Sequence, residues 1–108
     1  MGVNELLVRA PTVLDRDTLA AFRREALRLV EQSGQPQEGA KSSGNRLVVD
    51  LAATKKVDTA GLGALILVRE RASELRRTVC LRGASDEIRF LLVLTRMEDR
   101  FEFEPPAT

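Results

Sequence analysis

Short apolar runs alternate along the chain with longer segments in which apolar residues recur every three or four positions. The runs Glu5–Arg9, 46–51 and Thr78–Arg82 predict three β-strands, and a further short strand is predicted near residues 12–14. Residues 47–49 are apolar without a break, which is typical of a strand buried on both of its faces. The pattern therefore predicts a sheet with at least one central strand.

Three segments have the periodicity of amphipathic helices. The first has Asp15 or Asp17 as its predicted N-cap and ends near Gln32. The second runs from Thr59 to about residue 76, and the third follows Ser85 as its predicted N-cap. Each of these helices has a face of apolar side chains, so we expect all three to pack against a sheet.

The chain ends with Phe101 and Phe103 in alternation with Glu102 and Glu104, which is the pattern of a half-buried edge strand. Strands that alternate with helices of crossover length predict the α/β class, with a central, mostly parallel sheet of four or five strands covered by helices. A length of 108 residues corresponds to one domain, 1–108. Residues 33–45, rich in Gly, Ser and Gln, predict a flexible surface loop within it.

The third helix has more apolar side chains than a single buried face requires. Ile88 and Leu92 belong to one face, whereas Phe90, Val93 and Leu94 lie beyond it. The outer side chains are compatible either with the core or with a partner-binding face. We interpret them as core.

The charge composition argues against several classes of partner. The chain has 17 basic and 16 acidic residues and a net charge of +1, which does not favour a nucleic-acid or anionic-membrane surface. No segment contains the roughly 20 apolar residues needed to span a bilayer, and the N-terminus lacks a signal-peptide pattern. The single cysteine, Cys80, lies in an apolar run and is predicted to be a buried thiol in a reducing compartment, so we expect a cytoplasmic protein.

The inventory of reactive side chains excludes several classes of enzyme. Histidine is absent, which removes histidine-based triads and the common zinc sites. The sequence contains neither a phosphate-binding loop nor a complete dinucleotide-binding fingerprint. Asp15, Asp50 and Asp58 could together bind Mg²⁺, but aspartates near strand ends are more often caps and solvated loop residues. We therefore expect a protein without enzymatic activity, metal or cofactor.

The segment 57–63, Val-Asp-Thr-Ala-Gly-Leu-Gly, follows a short connection and opens the second helix. Asp58 and Thr59 both suit an N-cap, where a side-chain oxygen accepts a hydrogen bond from a free backbone N–H. The same N–H groups and the helix dipole favour a negative charge such as a phosphate. Gly61 and Gly63 each cost roughly 1 kcal/mol relative to alanine in a helix. The expected reason for them is close approach of another backbone or of a partner protein.

This segment resembles the signature of the STAS domain, the fold of bacterial anti-sigma factor antagonists, in which a strand runs into Asp-Ser-Ser-Gly-Leu-Gly. Asp58 matches the aspartate, Thr59 the first serine, and residues 61–63 the last three positions. Asp15 stands where the family has a loop aspartate close to the phosphorylation site. The flanking strands and the C-terminal segment also fall where STAS domains place theirs, so the resemblance covers about residues 5–104 and implies the STAS sandwich.

In the antagonists, a GHKL-type anti-sigma factor kinase binds the loop before this helix and the start of the helix. It then phosphorylates the second serine of the signature, which ejects the kinase. The resemblance implies a partner-binding surface for transcription regulation at Asp15, Asp58, Thr59, Ala60, Gly61 and Gly63. Ala60 occupies the phosphoacceptor position but has no hydroxyl. We therefore expect a constitutive binder, with Thr59 as the alternative acceptor.

Two further interpretations of the resemblance stay open. The motif also resembles that of the small STAS protein of phospholipid-transport ABC complexes, which binds the ATPase subunit and uses a threonine at the position of Thr59. Alternatively, the chain is a scaffold module of a signalling complex, without phosphoregulation. The C-terminal segment 94–103 is more similar to that of the antagonists than to that of the transporter protein.

Overall fold

The computed structural model describes residues 5–32 and 46–104, so the predicted loop 33–45 lies outside the described residues. Within these ranges the strands are β1 (Glu5–Arg9), β2 (Val13–Leu14), β3 (Arg46–Asp50), β4 (Lys56–Val57), β5 (Thr78–Arg82) and β6 (Glu102–Phe103). The helices are α1 (Leu19–Gln32), α2 (Thr59–Glu74) and α3 (Asp86–Leu94), and a 3₁₀ turn spans Glu98–Arg100. The sequence pattern did not predict β4 or the 3₁₀ turn, because elements of two or three residues are too short to show a period.

Among the described residues, the main sheet has four strands in the order β1-β3-β5-β6, and all neighbouring strands are parallel. Strands β2 and β4 form a separate parallel pair. The predicted α/β class and the mainly parallel sheet are confirmed. Strand β6 lies at the edge of the main sheet, as its alternating sequence predicted.

One hydrophobic core joins the sheet to the three helices. From the sheet it includes Leu47 and Val49 of β3 with Val79 and Leu81 of β5, and from the longest helix it includes Leu65. Val48 points to the opposite face of the sheet, because side chains alternate along a strand, yet it is also fully buried. The prediction that residues 47–49 are buried on both faces is therefore confirmed.

The opposite face of the sheet is covered in part by charged side chains. Cys80 lies opposite Val48 in the register of the strands and is buried there, as predicted. Burial is the main cause that raises the pKa of the Cys80 thiol. Nearby, the guanidinium of Arg82 donates two hydrogen bonds to the Glu104 carboxylate, at 2.8 and 2.9 Å. This bond to Arg82 lowers the pKa of Glu104.

The two aspartates predicted as the cap of α1 both lie before its first residue, Leu19, in the turn that leads into the helix. Asp15 Oδ1 accepts hydrogen bonds from the backbone N–H groups of Asp17 and Thr18, at 2.9 and 3.2 Å. The Asp15 carbonyl oxygen also accepts the N–H of Leu19 at 2.8 Å. Asp15 therefore caps the turn that leads into the helix, and Asp17 lies within that turn.

Helix α3 corrects one expectation from the sequence. Phe90, Val93 and Leu94 are 61%, 46% and 64% exposed, so their interpretation as core side chains is wrong. The buried side chains of this nine-residue helix are Ile88 and Leu92. A short helix at the margin of a sheet presents only a narrow stripe to the core, and the remaining apolar side chains face outward.

Two residues after the last residue of α2 and of α3, the backbone adopts left-handed geometry, which is unfavourable for side chains with a Cβ atom. Arg76 has φ of 62° and Arg96 has φ of 59°. The residue after each of them donates a backbone hydrogen bond to the last turn of the helix. The Arg77 N–H donates to the Ala72 carbonyl at 2.7 Å, and the Met97 N–H donates to the Leu92 carbonyl at 2.8 Å. This is the Schellman arrangement, in which glycine is the preferred residue.

We expect the variants Arg76→Gly and Arg96→Gly each to raise the free energy of unfolding by about 0.5–1 kcal/mol. Relief of left-handed strain exceeds the entropy that glycine adds to the unfolded chain. Urea denaturation followed by circular dichroism measures the change. Glu70→Gly, at an exposed position inside α2, is the control and should lower stability by about 1 kcal/mol. Destabilisation by both arginine variants would contradict the prediction.

Candidate partner-binding site at the start of helix α2

The two short strands bring the predicted site residues together. Leu14 of β2 and Val57 of β4 are partners in a parallel ladder, and the backbone N–H of Asp58 donates to the Leu14 carbonyl oxygen at 3.1 Å. Asp15 and Asp58 follow these two paired residues directly, so they leave the small sheet at the same end. Both side chains are partly exposed.

Asp58 is the N-cap of α2. Its backbone is extended, and its Oδ1 accepts the backbone N–H of Gly61 at 2.8 Å, while its carbonyl oxygen accepts the N–H of Leu62 at 2.8 Å. Thr59 is the first helical residue and is exposed. Of the two N-cap candidates, the structure selects Asp58. The Thr59 hydroxyl forms no hydrogen bond within the described part of the chain and faces solvent.

The two glycines of the motif differ in their surroundings. Gly61 is buried, and a Cβ atom added to it would lie 2.9 Å from the carbonyl carbon of Leu14 and closer still to the carbonyl oxygen. Gly61 therefore allows α2 to pack directly on the backbone of β2. Gly63 is exposed, and a Cβ atom there would meet nothing within 4 Å. Nothing within the described fold requires a glycine at position 63.

Most of the predicted site lies on one accessible surface. Asp15, Asp58 and Ala60 are partly exposed, and Thr59 and Gly63 are exposed. Gly61, the sixth residue of the predicted set, is buried beneath them and positions the helix. We call the five accessible residues the α2-start surface.

A groove next to this surface was missed by the sequence analysis. It has a volume of about 370 Å³ and lies between Lys55, Lys56 and Val57 on one side and helix α3 on the other. The Thr54 hydroxyl donates to the Pro11 carbonyl at 2.8 Å and the Lys55 N–H to the Thr12 carbonyl at 2.7 Å, which holds this segment in place. The sequence signal for the groove was the surplus of apolar residues on α3, which we interpreted as core side chains.

The structure gives Asp50 a local role. Its Oδ1 accepts the backbone N–H of Ala52 at 2.9 Å, just after β3. Across residues 5–32 and 46–104, no three side chains of His, Cys, Asp or Glu are grouped closely enough to hold a metal ion. In the same ranges, no helix has the length and apolar character needed to cross a membrane.

Comparison with known proteins identifies the family. The model of the STAS domain matches residues 2–106. The chain belongs to the STAS domain family. Among solved structures, an anti-sigma factor antagonist (STAS) domain protein from Planctomyces limnophilus is similar to this STAS domain with a TM-score of 0.71 and 12% identity, over 94% of this chain and 82% of the other.

Two further structures share the STAS fold. A protein from Thermotoga maritima described as an anti-sigma factor antagonist has a TM-score of 0.68 and 16% identity, over 94% of this chain and 80% of its own. A sulfate transporter family protein from Wolinella succinogenes has a TM-score of 0.61 and 12% identity, over 95% of this chain and 80% of its own. No curated protein matches the sequence. At these identities the likeness shows the fold, and the partner of this STAS domain has to be argued from its own surface.

Proposed function

We propose that this chain is a single regulatory STAS domain that binds and sequesters an anti-sigma factor of the GHKL kinase type, and that it works in the cytoplasm without catalytic activity. The observation that carries the proposal is the exposed Gly63 beside Asp58 and Thr59. A helical glycine costs roughly 1 kcal/mol, and the fold gives no internal reason for this one. A partner backbone that approaches the helix closely supplies that reason.

The family and the neighbouring structures support this proposal over an enzymatic one. Two of the structural neighbours are described as anti-sigma factor antagonists. The α2-start surface is small, polar and accessible, as a protein-docking surface would be. Its two carboxylates, Asp15 and Asp58, are already used as backbone caps, which leaves them suited to positioning rather than to catalysis.

The proposed interaction is constitutive, because position 60 has no hydroxyl to phosphorylate. Ala60 is the second residue of α2 and is partly exposed. Thr59 has an exposed hydroxyl one residue earlier. A shift of one residue rotates the side chain by about 100° around the helix axis, so a kinase aligned on position 60 would not reach Thr59.

Capture from a lysate of the source cell, with proteins identified by mass spectrometry, tests the proposal. We expect the native chain to retain a GHKL-type anti-sigma factor. The amount retained by Thr59→Glu should be at least about ten-fold lower, because the variant places charge and bulk on the surface. Thr59→Gln is the matched control, with similar bulk and no charge. Glutamate at a helix start is compatible with the dipole, so the variant should fold.

Two results would count against the proposal. Equal retention of the anti-sigma factor by the native chain and Thr59→Glu would place the functional surface elsewhere. Stoichiometric phosphate on Thr59 after incubation with the captured kinase would show that the interaction is regulated rather than constitutive.

A second candidate is a role as the STAS subunit of a transport complex, in which the chain binds an ATPase. The exposed Thr59 hydroxyl and a structural neighbour from the sulfate transporter family favour it. The same capture experiment would then retain a transport ATPase. If the chain is a non-phosphorylated scaffold module, the experiment would retain other signalling proteins instead. The identity of the neighbouring genes would also distinguish the antagonist, transporter and scaffold roles.

A further inference from the structure

The groove between β4 and α3 has an apolar interior. Ile88 is buried and Leu91 half-buried, and both line it together with Val57. Phe90 and Leu94 also line the groove, although they are 61% and 64% exposed. Its volume of about 370 Å³ lies at the lower end of the range for ligand pockets. The groove therefore offers space for a few apolar side chains rather than for a large ligand.

The exposed apolar side chains of α3 form one patch. Phe90, Val93 and Leu94 are spaced i, i+3 and i+4, so they lie on the same side of the helix. A single exposed apolar side chain is ordinary on a protein surface, but a contiguous patch indicates an interaction site. The spacing is also that of the anchors by which one helix packs against another.

Two lysines give the groove a positive rim. Lys55 and Lys56 both line it and are exposed. Within residues 5–32 and 46–104, neither ammonium group forms an ion pair. Glu87, in the first turn of α3, is the acidic residue on the opposite wall. The rim as a whole is positive, and it favours a ligand that combines apolar side chains with carboxylates.

The groove and the α2-start surface adjoin along the chain. Val57 lines the groove, and the next two residues along the chain are Asp58 and Thr59. A protein bound at the start of α2 would therefore contact residues that directly follow the wall of the groove in the chain.

We propose that this groove binds an amphipathic helical segment of the same partner, with an apolar stripe against Phe90 and Leu94 and with Asp or Glu side chains beside the stripe that meet Lys55 and Lys56. The inference rests on the proposed function, to which it adds the chemistry of the partner. A second copy of the chain is the alternative occupant, because its own α3 carries Asp86, Glu87 and Arg89 beside exposed apolar side chains. The sedimentation experiment below separates the two.

Two synthetic peptides of about 18 residues, or about five helical turns, test the proposal with the purified full chain. Both carry the same leucine stripe, flanked by Glu in one peptide and by Lys in the other. Fluorescence anisotropy at low salt should show roughly ten-fold tighter binding of the Glu peptide, and added salt should reduce that preference. Amide shifts in NMR spectra should map to residues 55–58 and to α3.

Variants localise the binding. Lys55→Glu combined with Lys56→Glu should reverse the preference between the peptides, and Leu94→Ala should weaken the binding of both. Leu67→Ala is the control, because Leu67 is 41% exposed on α2 and does not line the groove. Equal affinities for the two peptides, or shifts confined to other residues, would overturn the proposal. A dimer in sedimentation experiments that Leu94→Asp abolishes would also overturn it, since a second copy would then fill the groove.

The peptide test and the capture test fail independently. Tighter binding of the Glu peptide at the groove would support the proposed chemistry of the groove, whatever the capture experiment shows. Unchanged capture of the partner by Thr59→Glu would defeat only the proposed function. The link between them is tested by capture with the lysine double variant. We expect this variant to lose the same protein that Thr59→Glu loses, and full retention of that protein would overturn the assignment of the groove to this partner.

Discussion

Replacing Gly61 with alanine is expected to lower the free energy of unfolding by about 3 kcal/mol, the upper end of the usual cost of overpacking. The added methyl group would overlap the backbone carbonyl of Leu14, and no side-chain rotation can relieve contact with a backbone atom. Helix α2 would have to move away from β2. That movement would strain the hydrogen bond from the Asp58 N–H to the same carbonyl oxygen, which is 3.1 Å long.

Gly63→Ala is the matched control for this experiment, with the same chemical change two residues along the same helix. We expect it to raise the free energy of unfolding by about 1 kcal/mol, because alanine is the better helix former and its methyl group meets open space. Urea denaturation of the two variants and the native chain gives both values. A stability change of the same sign in both would contradict the different roles assigned to the glycines.

The glycine pair also separates stability from binding. If Gly63 is there for a partner, Gly63→Ala should be more stable than the native chain and yet retain less of the partner in the capture experiment. A destabilised protein loses its partner for a trivial reason, but a stabilised one does not. Unchanged capture by Gly63→Ala would remove the observation on which the proposed function depends.

Replacing Leu92 with alanine is expected to lower the free energy of unfolding by about 2–5 kcal/mol, as is usual for a large apolar side chain deleted from a core. Leu92 has no exposed surface and joins α3 to the hydrophobic core. The loss combines the transfer of the apolar atoms with the cavity that remains. Thermal and urea denaturation, each followed by circular dichroism, would measure it.

Leu94→Ala is the matched control in α3, two residues further on. Leu94 is 64% exposed, so its truncation should change the free energy of unfolding by no more than about 0.5 kcal/mol. A large loss from Leu94→Ala would restore the original interpretation of the outer face of α3 as core. A large loss of stability in Leu92→Ala with little change in Leu94→Ala would instead leave the outer face of α3 free for the partner segment proposed above.

Most of the fold was predictable because its long elements carry strong periodic patterns. The limits of α2 and β5 were close to the prediction, and the caps at Asp58 and Ser85 were confirmed, with the Ser85 hydroxyl oxygen accepting the N–H of Ile88 at 3.2 Å. A cap depends on a few neighbouring residues, so the local sequence is sufficient to place it. Strand β4 was missed because its two residues pair with β2, more than 40 positions earlier in the chain, and no local pattern records such a pairing.

The candidate site was predictable in part. The sequence motif indicated residues 58–63 as the site, but the same reason was expected for Gly61 and for Gly63. Only the position of Leu14 against α2 shows that one glycine serves packing and the other faces solvent. The lysines of the groove, Lys55 and Lys56, gave no signal in the sequence, because their meaning depends on α3 lying opposite them.

The sequence by itself determined the α/β class, the parallel sheet, the buried central strand and the start of α2, because each follows from periodicity or capping within a short stretch of chain. The tertiary structure decided which face of each element is covered. A helix with apolar side chains on more than one side has several faces that could be buried, and its neighbours select among them. For α3 that selection leaves Phe90, Val93 and Leu94 at the surface, and Phe90 and Leu94 line a groove together with Lys55 and Lys56.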